Sequence, residues 1–510
     1  MCGEDLIFNE HLKAAPELIC EWTRLFNDCL REGIIPSQWK SCLMIVIPKG
    51  KGNPLDASSW RGICKKSCVY KLLSSILVRR LVPFIEARDC LPDEQHGFRP
   101  FRSTISASRI LIDTIHSTLR RAGSALFAVF VDFRAAFDTG SRELALLRLA
   151  TAGVPARLLA LITAILDENL IKIDDGVSVG AGIPQTSGFA QGDNLSPLLF
   201  SMLVADLPSR IMNRHSFVKV LQYADDLVLY STSRFHLQQA LATLNAYVNE
   251  IGLTINVQKT EAVKFRRGGR LAASDELRLN RRPLKYVPDF TYLGITLSTT
   301  GRSFSKHVSD RLKKAIIAAG TIKNPHKLSV ATAIELFHMK IAPCASYGIQ
   351  LIWGDLTDDD FERLDGVKPL FLKRVFRLHS STRNRLVYLL ADTPTFVEDL
   401  RRQFAFDETK GFKKFIASRE EKKTAIEPEF YLTPAMTSAR WKGVDVQDRH
   451  LYTRFSAHGF HHIVCRRKGH HEPDAKCVCI SCGQHAARYH AMTCPLSTSL
   501  KELGKVTSTQ

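Results

Sequence analysis

The sequence predicts an α+β fold organised around strands that carry carboxylates. Three stretches predict it. Leu221-Gln222-Tyr223-Ala224-Asp225-Asp226-Leu227-Val228-Leu229-Tyr230, preceded by Val218 and Val220, reads as strand, tight turn, strand, with two adjacent aspartates at the turn. Residues 125–138 read as a buried apolar strand running into Asp132. Leu237, Leu241, Leu244, Val248 and Ile251 fall on one face of a helix over residues 237–251, with Gly252 as its stop.

The chain has 510 residues and 45% hydrophobic content, enough for two to four domains with real cores. A formal charge of +19 suggests a polyanionic partner, most simply nucleic acid. Of 13 cysteines, seven lie without repeating spacing in the first 90 residues. Cys465, Cys477, Cys479, Cys482 and Cys494 cluster near the end. That pattern predicts reduced thiols plus one metal site in an intracellular protein, of nucleus or cytoplasm, and not a secreted disulfide framework. The longest apolar runs, such as Ala125 to Val131, are too short to span a bilayer, so no membrane partner is expected.

Taken in order, residues 1–40 read as one amphipathic helix and a loop. Leu18, Trp22, Phe26 and Leu30 share a face, and Gly33 with Pro36 ends the pattern. A strand from Cys42 to Pro48 leads to the basic turn Lys49-Gly50-Lys51-Gly52, which lacks the full P-loop pattern. Trp60-Arg61-Gly62-Ile63 precedes a helix ending in Arg79-Arg80. Gln95-His96-Gly97-Phe98-Arg99-Pro100, with Arg102-Ser103-Thr104, suits a loop that grips a phosphate backbone. Ser187 to Pro197 reads as a flexible loop, with Ser196 capping a helix through Leu207. A short strand, a basic turn over 266–270 and a hairpin at Tyr292-Leu293-Gly294 follow. Residues 305–400 are helical and basic, and 405–440 are charged and less periodic.

An unpaired carboxylate at the end of so apolar a strand needs a partner, because burying a bare charge is costly. For Asp132 the partner is an arginine or a metal, and the second acidic pair at Asp225 and Asp226 argues for the metal. Near the C-terminus, Cys479-x2-Cys482-x7-His490-x3-Cys494 has the spacing of a small zinc module binding one ion, with Cys477 or His485 as substitute ligands.

These residues name a family. The chain resembles the reverse transcriptase of a non-LTR (LINE-type) retrotransposon over nearly its whole length. Trp39-Lys40 through Pro48-Lys49 resembles the family's first block, and Gly97-Phe98-Arg99-Pro100 with Arg102-Ser103-Thr104 another. Val131-Asp132-Phe133 with Ala136-Phe137-Asp138 resembles motif A. Gln191-Gly192-Asp193 with Leu195-Ser196-Pro197-Leu198-Leu199-Phe200 resembles motif B, and Tyr223-Ala224-Asp225-Asp226 motif C. Gly252-Leu253, Asn256 and Lys259-Thr260 resemble motif D, and Tyr292-Leu293-Gly294 the primer-grip region. Four positions depart from the pattern: Phe101 for glycine, Asn194 for proline, Gly140 for an apolar residue, and Trp60-Arg61-Gly62-Ile63 for the usual tyrosine-led block. None removes a catalytic carboxylate.

The resemblance implies a right-hand polymerase of fingers, palm and thumb. Residues 1–122 would form an N-terminal extension and fingers, 123–300 the palm with fingers insertions, and 301–400 a helical thumb. A linker over 401–449 and a Cys/His tail over 450–510 would follow. The implied reaction is RNA-templated DNA synthesis from deoxynucleoside triphosphates on a DNA primer or target DNA. Two Mg²⁺ ions would be held by Asp132, Asp225 and Asp226. Phe137 would exclude the 2′-hydroxyl, Gln191 would contact the incoming nucleotide, Arg61 would hold its phosphates, and Lys259 would protonate the leaving pyrophosphate. The rival readings are a catalytically decayed, transposon-derived nucleic-acid-binding protein and a group II intron maturase-like protein. The intact carboxylates weigh against the first, and the Cys/His tail against the second. Met1-Cys2-Gly3-Glu4-Asp5 resembles the interior of a family block ahead of the fingers. The chain is therefore expected to be truncated at its N-terminus and to lack a nuclease.

Overall fold

The computed structural model describes residues 3–50, 53–269, 271–301 and 303–424. It divides into two compact units, Met1–Leu293 with Ser298–Gly301, and Gly294–Leu297 with Arg302 onward.

The first unit opens with α1 (Asn9–Ala14) and α2 (Ile19–Glu32); α2 stops at Gly33 as its pattern predicts. Next come β1 (Ser41–Pro48), β2 (Trp60–Lys65), α3 (Cys68–Glu86) and α4 (Thr104–Leu119). α3 runs past Arg80 and accommodates Pro83 inside its last turn. The chain continues through β3 (Leu126–Val131), α5 (Ala136–Thr139), α6 (Arg142–Thr151), α7 (Ala156–Leu166), β4 (Leu170–Asp174) and β5 (Ile183–Pro184). Then come α8 (Ser196–Leu203), α9 (Leu207–Met212), β6 (Lys219–Tyr223), β7 (Asp226–Ser231), α10 (Arg234–Glu250) and β8 (Glu261–Phe265), followed by short strands between Arg278 and Tyr292.

Two sheets organise these elements. The larger orders Lys285–Tyr286, β8, β3, β7, β6, with β3 antiparallel to both β7 and β8. The smaller orders β2, β1, β4, β5, with β1 parallel to β4. All six residues of β3 are buried. Phe127, Val129 and Val131 enter the main apolar core, while Phe130 stacks on Phe290 at 3.9 Å. A central strand covered on both sides cannot alternate polar and apolar residues, hence its unbroken apolar run. The Phe130–Phe290 stack adds about 1 kcal/mol beyond its area.

Local chemistry corrects one helix start. The expectation made Ser196 the cap of a single helix through Leu207. Leu195 occupies that position, Ser196 Oγ donates to Ala190 O at 2.8 Å, and the helix breaks at Val204 before α9.

The second unit is helical. It holds Ser305–Gly320, Val330–Leu336 continued by a π-turn at Phe337–Ile341, and Asp358–Asp365, Val367–Val375 and Phe396–Phe404. Thr357 with Asp360 and Thr395 with Glu398 form capping boxes. The charged stretch after 405 is helical over Lys410–Thr424, because Phe412 and Phe415 are buried beside Phe361. Lys368 is fully buried and donates to Thr393 Oγ1, Pro394 O and Asp399 Oδ2. No described helix is long and apolar enough to cross a membrane.

Candidate active site

The register of β3 and β7 ends at the pair Val131↔Leu227. One further step sets Asp132 opposite Asp226 across the antiparallel pair. On the other side of β7, Tyr223 pairs Asp226, so the Ala224-Asp225 turn sits at the same sheet end. The backbone of Asp132 is held from a third direction. Its N–H donates to Thr260 Oγ1 at 3.2 Å, and its carbonyl accepts the Asn256 N–H at 2.7 Å. The 254–260 loop thus fastens the end of β3.

The three carboxylates feel one another. Burial raises the Asp132 carboxyl above the usual carboxylate range, while Lys259, Asn256 and Lys49 oppose the rise. Asp225 is raised by burial and by Asp132, with Arg61 opposing. Asp226 is pushed up to about 6, by burial first and then by Asp225 and Asp132. Asp225 and Asp226 remain open to solvent on one side, and the neighbouring like charges push both carboxyls in the same upward direction. Among the described residues, no three His, Cys, Asp or Glu side chains already converge as a metal cage. The donor set nonetheless fits a hard divalent cation: three carboxylate groups carry mutually unfavourable charge that such an ion relieves.

Lys259 is exposed, and its charge acts on Asp132. Arg61, exposed on β2, acts on Asp225. These cations and the three aspartates therefore form one electrostatic neighbourhood. Gln191 lies instead on a cavity of about 310 Å³ lined also by Met44, Gly62, Asp138, Gln185 and Ser187. Its carbonyl accepts the Cys64 N–H at 2.8 Å, tying the loop to β2. Phe137 is half-buried and stacks on Phe200 at 4.7 Å, and its carbonyl accepts the Phe189 N–H. Cys479, Cys482, His490 and Cys494 lie outside the described residues.

Three contributors were missed as site residues. Lys49 acts on both Asp132 and Asp138, while Asn256 and Thr260 hold the end of β3. Their sequence signal was present in the blocks around Pro48 and Gly252. The loop before α4 corrects an expectation. Arg99 does not face a phosphate: it grips Glu86 at 2.6 and 2.9 Å, and donates to Pro92 O and Gln95 O. Arg102 pairs with Asp93 at 2.5 Å. The arginines hold their own loop.

The loop around Gln191 is built on buried charge. Asp193 accepts from Tyr70 Oη at 2.6 Å, from the Leu195 N–H at 3.1 Å, and pairs with Lys66 at 3.1 Å. Arg142, also buried, donates to the carbonyls of Leu166, Gln185, Ser187 and Gly188. Two of the departures have local explanations. Asn194 donates to Lys71 O, Ser74 Oγ and Ser75 Oγ, bonds that no proline could make. A Cβ on Gly140 would stand 2.7 Å from Leu203 Cδ2.

Residues 47–297 match the family described as "Reverse transcriptase (RNA-dependent DNA polymerase)". This region is a reverse transcriptase domain. Among curated relatives, the chain is 25% identical over 388 residues to the RNA-directed DNA polymerase from mobile element jockey of Drosophila melanogaster. That alignment covers 73% of this chain and 42% of the relative. It is 28% identical over 391 residues to the Pol polyprotein from type-1 retrotransposable element R2 of Popillia japonica, covering 73% and 53%. Both of these relatives are mobile-element proteins, and the chain spans about half or less of their lengths. A solved structure of apo telomerase from Candida Tropicalis aligns with a TM-score of 0.41 at 12% identity, covering 85% of this chain and 74% of that one. The reverse transcriptase domain, with its carboxylate-ended sheet, is the core of a right-hand polymerase.

Proposed function

We propose that the chain is an RNA-directed DNA polymerase that extends a DNA primer, or a nicked target strand, on an RNA template with deoxynucleoside triphosphates. The register that sets Asp132 opposite Asp226, beside Asp225, carries this reading. A primer 3′-hydroxyl attacks the α-phosphorus, forming the new P–O bond as the bond to pyrophosphate breaks. Mg²⁺, as two ions when bound, supplies a lowered hydroxyl pKa and charge neutralisation at the leaving oxygens. Asp132, Asp225 and Asp226 are the ligands this chain offers, and their raised proton affinity without a cation matches that role. Arg61 and Lys49 supply positive charge toward the triphosphate, and Lys259 donates a proton to pyrophosphate, a role supported by its charge acting on Asp132. Gln191 contacts the incoming nucleotide and positions the template, and Phe137 limits the space at the sugar 2′ position.

The finer divisions belong to the same proposal: an N-terminal extension and fingers over 1–122, a palm with fingers insertions over 123–300, and a helical thumb from 301 that continues past residue 400 in place of the expected linker, since Phe412 and Phe415 of Lys410–Thr424 pack on Phe361. A zinc ion held by Cys479, Cys482, His490 and Cys494 in a tail over 450–510 is supported by their spacing. The site of action is intracellular, in nucleus or cytoplasm.

Primer extension on poly(rA)/oligo(dT) with Mg²⁺ tests the reading. The full chain should incorporate dTTP, and Asp225→Asn should lower the rate at least a thousandfold while RNA binding and thermal unfolding stay close to wild type. Extension retained by Asp225→Asn, or no extension by the unaltered chain, would overturn it.

A further inference from the structure

We infer that Gln95 is a positioning residue that holds the Ala224-Asp225-Asp226 turn through the Ala224 N–H. The inference rests on the polymerase reading for what the turn does, and on geometry for how it is held. Ala224 sits at φ +56°, a left-handed conformation that costs a non-glycine residue roughly 1–3 kcal/mol. Such a residue stays there only when its surroundings over-determine it.

Those surroundings are residues 94–97. The Gln222 N–H donates to Glu94 O and the His96 N–H to Gln222 O, each at 2.8 Å, which lays Gln95 alongside Gln222 at the outer edge of β6. Gln95 Oε1 then accepts two backbone donors, Gly97 N–H at 2.8 Å and Ala224 N–H at 3.0 Å. Gly97 lies so close that a Cβ there would stand 2.3 Å from Ala224 N and 3.0 Å from Tyr223 C. The segment has its own anchor, since Arg99 grips Glu86 and donates to Gln95 O.

Gln95 is fully buried, and its Nε2 has no hydrogen-bond partner among the described residues. Burying an unpaired amide donor is a cost that an apolar side chain of the same size would avoid. What glutamine supplies and leucine cannot is the acceptor, which is spent on the turn. A displacement of the carboxylates by about 1 Å is enough to slow such chemistry about a hundredfold. The loop before α4 therefore buttresses the catalytic turn.

The test compares Gln95→Leu, Gln95→Glu and Gly97→Ala in the full chain, by primer extension and by hydrogen exchange across residues 219–228. Gln95→Leu should lower kcat at least thirtyfold with KM for dTTP within threefold, and should speed exchange at the turn at least tenfold. Gln95→Glu, which keeps an acceptor, should restore the exchange protection. Gly97→Ala, which wedges the segment away from the turn, should reproduce the Leu pattern and decides the matter where Gln95→Leu does not fold. Unchanged exchange at the turn in folded Gln95→Leu and Gly97→Ala overturns the inference, as does a loss that appears only in KM. Failure of the unaltered chain to extend any primer refutes the polymerase reading instead, and the exchange result then decides this inference alone.

Discussion

Asp193→Asn is expected to destabilise the chain more than any other single-atom-scale change in the loop around Gln191. Asp193 is buried, and one carboxylate oxygen receives both Tyr70 Oη at 2.6 Å and Lys66 Nζ at 3.1 Å. Lys66 is 3% exposed, with its ammonium 4.5 Å from the Tyr70 ring centroid. Asparagine would still accept the Leu195 N–H. Its Nδ2 would, however, face an ammonium that also only donates. Removing one partner of a buried ion pair costs roughly 3–5 kcal/mol, because the other charge stays in a dry site. Against a total stability of about 5–15 kcal/mol, that is a fall in Tm on the order of 10 °C. Lys66 lies two residues beyond Cys64, whose N–H donates to Gln191 O, so KM for dTTP should rise as the loop loosens. Thermal unfolding of Asp193→Asn, Lys66→Met and the double variant provides the check. The double variant removes the stranded charge and should recover at least half the loss. A single variant within 2 °C of wild type, or a double variant as unstable as the two losses summed, would refute the reasoning.

Phe137→Val should raise ribonucleotide incorporation relative to deoxynucleotide incorporation; an unchanged ratio would return Phe137 to simple packing on Phe200. Gly140→Ala should cost about 1–3 kcal/mol in unfolding experiments through the clash with Leu203, and Leu203→Val should relieve part of it. His307 accepts the Thr296 N–H at Nδ1 and donates from Nε2 to Tyr347 O, so burial holds it neutral with its pKa lowered to about 4. The unfolded chain takes up the proton first, so stability should fall by about 3 kcal/mol as pH drops from about 6.5 to about 4, a slope that His307→Gln should flatten in urea titrations. Metal analysis of the full chain should find about one zinc per chain, lost with Cys482→Ser and Cys494→Ser.

The strands and the carboxylates were legible because both leave dense local signals. β3 announces itself by an unbroken apolar run, and the Asp225-Asp226 pair by charge set between apolar flanks. α2 and α10 were legible from their periodicity, with Gly33 and Gly252 marking their ends. The start of α8 was misread because Ser196 and Pro197 look like a cap and first turn. Tertiary demand took the serine hydroxyl instead, for Ala190 O. The helix over Lys410–Thr424 was obscured because two buried phenylalanines anchor it amid many charges.

The arginines show why the remainder was not legible. In sequence, Arg99 and Arg102 look like phosphate ligands, and charge alone supports that reading. Residue type fixes what a guanidinium can bind, but only the fold decides whether a carboxylate or carbonyl reaches it first. Glu86 lies in α3, 13 positions before Arg99, and no local pattern links the two. Arg142 and Arg374 meet the same fate with backbone carbonyls. These cations still count toward the formal +19, yet their donors are already engaged within the protein. The salt dependence of RNA binding reports only cations that displace counterions from phosphates. Its slope should therefore reflect exposed residues such as Arg61 and Lys259, and should fall well short of what the formal charge suggests.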